Sequence, residues 1–576
     1  MQAKPTVIVG KICSLAGGFA FSLFFFAFMQ TASAFTKSGT VYTTDGSQAD
    51  VMAAEADASV GDEIDVPAGT FSWGAGFVAV NLNKSETLKG AGQGQTIINL
   101  VNGGPNNVYG AIQFYSAARV TGMTINGYGQ GYNAVPFAAQ SGSGWRIDHV
   151  TYDATDGGGD DDAGYFIYVN GVYGLIDDCN ITGGAGNNEL IFARGPTDSW
   201  QTPDSYGTTN ALYVEDCTFG GEGSVCDINA NGRAVLRFNT ITSQMKIDGH
   251  GYDSNTPKRS VREMEVYDNV WTNGGAECVN LRGGTGILFN NTILTASPSA
   301  AWFFLNSYAV QEPWGNYGQS CTISAGNPAT VTTPLAHGFT NGFSVYVNGN
   351  STPALANWFI VTVTGANTFT IATNITSGGT GTATRELTAW DYPLPDQIGI
   401  GEDPPVAHSD PVYLWNNTAQ GGVDWTLSFC PVDTNAIITY RVQSGNPAAT
   451  FTISNNIIKA DRDYFKQTVG TTFNGSTGVG VGTTAQMNAI TPSKTGVGFW
   501  VTDQGNWNTE ETTTNSSGEL YVWNGSAWVS KYEPLTYPYP GTGSSEDGGA
   551  EGNGGGSGIT NSTPQMSPPS NLRPAN

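Results

Sequence analysis

The sequence predicts an all-β chain: a right-handed parallel β-helix with a short N-terminal capping helix, an inserted small β-sandwich and a C-terminal β-hairpin cap. Three observations predict it. A short pattern (apolar, two variable positions, Cys or Asn, one variable position, apolar) recurs along much of the chain. The copies at 120, 147, 176, 214, 236, 266 and 288 begin 22 to 38 residues apart, the period of a solenoid whose coils carry inserted loops. The composition, 77 Gly, 24 Tyr and 14 Trp in 576 residues, with almost no helical periodicity, fits many short strands joined by tight turns.

Residues 1–34 read as a signal peptide. Lys4 and Lys11 precede an apolar run, Leu15 to Met29, and TASA ends at Ala34 in small residues. That run is short for a membrane span, which needs about 20 apolar residues, and no second one follows. The expected location is therefore extracellular or on the cell surface, with no membrane span after cleavage. The net charge of −25 offers no basic surface to neutralise phosphates, which excludes nucleic acid as a partner. A monomer is expected.

The β-helix with its N-cap is assigned to 35–315. Its clearest repeats are IDDCNI, VEDCTF, LRFNTI, VYDNVW and LFNNTI, with a late copy, ISNNII. The column Cys179, Cys217, Asn239, Asn269, Asn291 and Asn456 reads as an inward ladder at a turn, where stacked amides bond one another. Cys179 and Cys217 then replace two rungs as buried thiols. Thr/Val-rich runs broken by Gly and Asn, at 316–386, read as the inserted sandwich, with His337 at a turn in a structural role. Final coils follow at 387–470, from DPVYLWNNT to NNIIKADRDYF. The Trp/Tyr-rich stretch 471–540 reads as a hairpin cap over the last coil, and the Gly/Ser/Pro-rich 541–576 as a disordered tail.

SQADVMAAEADASVGDEIDVPAGTFSW, from Ser47, and TLKGAGQGQTIINL, from Thr87, resemble the N-terminal cap and the next coil of the pectate-lyase-like superfamily. The coil repeats extend the likeness to about residue 310. The resemblance implies a helix plugging the open first coil. It leaves activity open, because the superfamily includes lyases, hydrolases, epimerases and phage tailspikes.

Candidate site residues come from the second strand of each coil: FIYVNG, LIFARG, DINANG, KIDGHG and CVNLRG. Aligned on their terminal Gly, their second and fourth positions are apolar or small and face inward. Three outward columns remain: Phe166, Leu190, Asp227, Lys246, Cys278; then Tyr168, Phe192, Asn229, Asp248, Asn280; then Asn170, Arg194, Asn231, His250, Arg282. Lys246, Lys258, Arg259, Arg262 and Arg282 fall within 37 positions of a chain with 23 Lys and Arg. Such clustering on an acidic protein points to an acidic polysaccharide, since arginine suits carboxylate and sulfate. A solvated, self-neutralising surface network is the plain alternative.

The candidate catalytic residues are Lys246, His250, Arg282, Asp248 and Asp227. The candidate substrate-binding residues are Arg194, Tyr168, Phe192, Asn231, Asn280, Arg259 and Arg262. Polysaccharide lyase chemistry leads: cations neutralise a uronate carboxylate while Lys246, His250 or an arginine removes the neighbouring proton. A non-catalytic glycan-binding or adhesin scaffold is the alternative. A hydrolase using Asp227 with Asp248 comes third. GHG resembles one polygalacturonase signature, but that family's N-T-D and R-I-K signatures are absent. Many lyases of the superfamily bind the substrate carboxylate through calcium, so calcium is the cofactor the resemblance implies. The nearest acidic run is Asp156, Asp160, Asp161 and Asp162, a composition equally usual in a solvated loop.

Overall fold

The computed structural model describes residues 35–540 apart from 75–78, 102–109, 128–134, 155–164, 185–188, 197–199, 201, 252–258, 275–276, 296–302, 306–318, 338, 340, 343, 386–395, 397, 402–407, 420–426, 430–436, 441–448, 453–457, 469 and 511–516. The expected signal peptide and tail, Lys258, Cys430, Asn456 and the run Asp156 to Asp162 therefore lie outside the described residues.

The chain forms a parallel β-helix. Each coil contributes three strands, and each strand pairs in parallel with its counterpart one coil away. One coil runs from Ile167–Asn170 through Gly174–Asp177 to Asn180–Gly183, and the next begins at Glu189–Arg194. The first strand type stacks into a ten-stranded parallel sheet, here the groove sheet. The second forms the flank sheet and the third the back sheet. A tight turn joins these two into one continuous hydrogen-bonded layer. Ile, Val, Leu and Phe from all three sheets meet in one core that runs the length of the helix. The helix Gln48–Asp57 plugs its N-terminal end. Ser47 caps that helix by accepting from the Asp50 amide, and Val51 and Ala54 are buried in the core.

The tight flank-to-back turn explains the repeat. One residue in each copy adopts a left-handed backbone: His149, Asp178, Asp216, Phe238, Asp268, Asn290 and Asn416, with φ between 50° and 57°. Asp and Asn tolerate this conformation best. The next residue points inward and forms the ladder. Asn239 Nδ2 donates to Asn269 Oδ1 at 2.9 Å, Asn269 Nδ2 to Asn291 Oδ1 at 3.0 Å, and Asn291 Nδ2 to Asn417 Oδ1 at 2.9 Å. Each amide also donates to a carbonyl of the preceding coil. Cys179 and Cys217 continue the column as buried free thiols. The rung after Asn291 is Asn417, because the chain between them leaves the helix and returns.

The insert occupies the turn between a groove strand, Phe303–Leu305, and a flank strand, Val412–Trp415. Its six antiparallel strands, between Gln319 and Arg385, close into a barrel. The expected two-layer sandwich is corrected on this point: Gln319–Ile323 and Ser344–Gly349 both pair with Gly379–Arg385, leaving no free edge at which two sheets could separate. His337 is structural there. Its Nδ1 accepts from the Phe339 amide at 2.9 Å, and its ring stacks on Phe339.

The C-terminal segment also differs from expectation. It does not sit as a hairpin across the last coil. Its four strands, between Val479 and Tyr532, and the stretch to Tyr539 form an arm along the flank sheet. Leu175, Tyr213, Val235, Tyr267, Phe289 and Trp415 on that sheet pack against Trp500, Trp507, Leu520, Tyr532 and Tyr537 in a second core. Tyr267, Phe289 and Trp415 stack at 4.6 Å spacings up successive coils, and such a stripe is buried only by a partner running alongside it. Polar contacts fix the arm in place. Arg237 donates to the Leu535 and Thr536 carbonyls, Tyr532 Oη to Glu265, and Tyr537 Oη to Asp216. Phe238, bulky for a left-handed position, gains a ring contact with Tyr537 at 3.9 Å. Among the described residues no helix is long and apolar enough to cross a membrane.

Two outcomes follow. Asn269→Ala removes both a donor to the Leu236 carbonyl and the acceptor for Asn239. It should cost about 3 kcal/mol in urea unfolding followed by circular dichroism, more than Asn417→Ala at the half-buried end. The second concerns pH. Burial pushes Asp216 up to about 8 and Glu265 up to about 7. The folded chain then holds protons that the unfolded chain has released. The arm is therefore most stable in acid and weakens as pH rises from about 4 to about 8. The tryptophan-fluorescence melting temperature should fall across that window, and Asp216→Asn should flatten part of the fall.

Candidate functional site

The groove sheet carries the site, and its register corrects the sequence alignment. Phe192 lies beside Asp227, Asp227 beside Asp248, and Asp248 beside Asn280. The strand containing Asp227 therefore slides by two residues relative to the terminal-Gly alignment. Asp227 joins the Tyr168–Phe192–Asp248–Asn280 column, and Asn229 stands beside Arg194. Asn231 leaves the sheet: Ala230 and Asn231 both have positive φ and form a turn whose amides donate to the Arg259 and Ser260 carbonyls. The expected first outward column is also corrected. Phe166, Leu190 and Cys278 are fully buried in the core, because two consecutive residues point inward at this corner. Of that set only Asp227, in its shifted register, and Lys246 reach the outer face with Asp248.

The inward doubling at Leu190 and Ile191 turns the preceding residue, Glu189, outward. The sequence alignment began at Leu190 and missed it. The signal was present in NNELIFAR, a carboxylate heading the strand one coil before Asp227. Tyr165, just ahead of the Tyr168 strand, was missed for the same reason.

At the centre, Asp248 is buried and paired twice. Arg282 donates to both its oxygens, Nε to Oδ1 at 3.1 Å and Nη2 to Oδ2 at 2.9 Å, and Lys246 Nζ lies 3.1 Å from Oδ2. Lys246 also lies 3.9 Å from Glu277. Two cations on one desolvated carboxylate make charge-assisted contacts that hold the three side chains in place. Asn229 Nδ2 donates to Asp227 Oδ2 at 3.3 Å.

Glu189 behaves oppositely. Burial first, then the charges of Asp227 and Asp248, push its carboxyl up to about 7, against smaller opposing effects of His250 and Lys246. His250 Nδ1 lies 2.7 Å from the Gly251 carbonyl, which can only accept, so Nδ1 donates. Burial, then the charges of Glu189 and Asp227, raise Tyr165 and keep its phenol protonated.

Two coils toward the N-terminus lies an aromatic platform. Tyr168 and Phe192 stack at 5.3 Å, Tyr165 lies 5.0 Å from Phe192, and the Arg194 guanidinium covers both stacked rings at 5.5 and 5.3 Å. Among the described residues Arg194 forms no ion pair, and its buried Nε has no hydrogen-bond acceptor.

Arg259 and Arg262 are not brought to this centre. Both cover the face of Trp200, at 4.7 and 5.3 Å. Arg259 forks onto Asp396, and the fully buried Arg262 pairs with Asp410. They tie the chain returning from the barrel to the helix, so their charge is spent on structure. For calcium, the chemistry of the centre does not fit. Asp248 is already neutralised by two cations, and no group of three or more His, Cys, Asp or Glu among the described residues is arranged to hold a metal ion.

Fold and site together define a parallel β-helix with one charged, partly buried sheet face combining paired cations, an aromatic platform and one carboxyl pushed toward neutrality. No family model and no curated protein matches the chain. Among solved structures it is similar to Geobacillus virus E2 ORF18, at 12% identity and TM-score 0.30, covering 70% of this chain and 83% of that one. It is also similar to the Azotobacter vinelandii mannuronan C-5 epimerase AlgE4 A-module, at 16% identity and TM-score 0.26, covering 46% and 78%. At these scores neither likeness contributes to the functional argument.

The electrostatics of Glu189 can be checked directly. Asp227→Asn removes one of the like charges that raise it, so carboxyl-resolved NMR titration should show Glu189 moving down toward the ordinary glutamate range near 4.3.

Proposed function

We propose that the groove binds an acidic, uronate-type polysaccharide outside the cytoplasm and cleaves it by β-elimination. The observation that carries this reading is the presence, on one strand, of an arginine without a carboxylate partner among the described residues, Arg194, and a carboxyl that burial and like charges push toward neutrality, Glu189. Arg194 takes the uronate carboxylate while the Tyr168–Phe192 stack receives a sugar face. Neutralising that carboxylate acidifies the adjacent C5–H. Glu189 in its ionised form, or His250 through Nε2, accepts the proton. The C–H electron pair forms the C4–C5 double bond as the C4–O bond breaks, and Tyr165, held protonated, supplies the leaving oxygen with a proton. Lys246 and Arg282 hold Asp248 in place and offset its charge near the developing oxyanion.

A second reading has an observation of its own. Glu189 with a raised pKa and Asp227 in the neighbouring strand form the unequal carboxyl pair that hydrolysis uses. One assay separates the readings, run on polyuronates with and without calcium. Product ultraviolet absorbance together with new reducing ends supports elimination, and reducing ends alone support hydrolysis. Retention on an immobilised glycan with neither signal leaves a binding scaffold. For elimination, Glu189→Gln should lower kcat by roughly 100-fold or more with binding retained. Arg194→Ala should mainly raise KM, by about tenfold.

A further inference from the structure

Two buried carbonyl oxygens in the groove lack a donor. Asn229 and Asn280 are 2% and 5% exposed, and the Oδ1 of each has no hydrogen-bond partner among the described residues. The donation from Asn229 Nδ2 to Asp227 fixes which end of that amide is oxygen. Asn229 stands beside Arg194, two residues along the same strand from Asp227. Asn280 stands beside Asp248 on the opposite side from Asp227. The two oxygens therefore flank the central carboxylates and lie two coils apart, about 10 Å along the groove. Buried acceptors of this kind are nearly always satisfied. Both occupy strand positions that alternate outward with Asp227 and Asp248, and a ligand reaching them there would supply the donor that the protein does not.

What satisfies them must carry hydrogen. A sugar hydroxyl donates; an O-sulfate or O-acetyl ester only accepts and would set oxygen against oxygen. We propose that this groove selects a uronate polysaccharide whose ring hydroxyls are free, and rejects O-sulfated and O-acetylated chains. The proposal rests on the acidic-polysaccharide reading and narrows its substrate class. A site built to bond a hydroxyl discriminates sharply against analogues that lack it, because its own polar groups are then left unpaired.

The test uses one polyuronate preparation in three forms, unmodified, chemically O-acetylated and O-sulfated, with affinity measured calorimetrically on the full-length protein. The unmodified chain should bind at least about tenfold more tightly than either ester. Asn280→Ala should shrink that preference to about twofold or less, chiefly by weakening the unmodified chain. Among the described residues Asn280 Oδ1 has no partner; the melting temperature of this variant is compared with the parent's, and Asn229→Ala gives an independent second reading. Equal or tighter binding of an ester overturns the proposal, as does a preference undiminished in both variants. If no polyuronate binds in any form, the acidic-polysaccharide reading falls and takes this proposal with it, a result distinct from equal binding of all three.

Discussion

The rest of the structure depends on the turn between flank and back sheets. One left-handed residue followed by one inward amide closes each coil in the same way, and the amide bonds to its counterparts above and below. The hydrogen bonds set the register of successive coils to the residue. A slip by one would move each ladder amide into apolar surroundings and turn the outward columns inward. The 126-residue excursion between Asn291 and Asn417 leaves the ladder unbroken because the rung is a local device. Any insertion is tolerated if the chain returns with an apolar strand, a residue able to adopt positive φ, and an asparagine.

Registered coils present two outer faces that are used in opposite ways. On the flank sheet, aromatic rings recur coil after coil and are covered by the arm. On the groove sheet, the same stacking places Tyr168, Phe192, Asp227, Asp248 and Asn280 in one line. Removing charge from water is costly unless it is matched. The groove meets that cost unevenly: Asp248 is doubly matched, whereas Glu189 is left beside like charges and shifts toward neutrality. That unevenness gives the face a chemical character that a row of matched ion pairs lacks.

The fold was legible in the sequence because each turn repeats the same physical demand and so writes the same residues. The ladder and the coil positions follow from it, whereas the capping helix was read from the stretch that begins at Ser47. The site was legible in part. Lys246, Asp248, His250 and Arg282 share one neighbourhood, as strict alternation requires within a regular strand. Glu189 was not legible, Asn229 was set in the wrong outward column and Asn231 was misplaced, for one reason. Alternation fails at corners, where Leu190 and Ile191 both turn inward and Ala230 and Asn231 enter a left-handed turn. The roles of Arg259 and Arg262 were hidden differently. Their partners Asp396 and Asp410 lie more than a hundred residues away, beyond the barrel. The arm was misplaced because an aromatic-rich segment signals burial without saying against what.

The arm has a consequence for how the chain comes to be folded. Arg237 meets carbonyls 298 and 299 residues further along, and Glu265 meets Tyr532 across 267. Coils can be added one at a time, each on the last, through contacts of short sequence separation. The arm has no such route and must find a surface that already exists. Until it arrives, the aromatic stripe of the flank sheet faces water, open to any other sticky chain nearby. Once docked, it spans several coils, and pulling out any one of them requires lifting the arm first. A solenoid that would otherwise fray coil by coil becomes one cooperative unit, whose lifetime is governed by the slow release of its last-made segment.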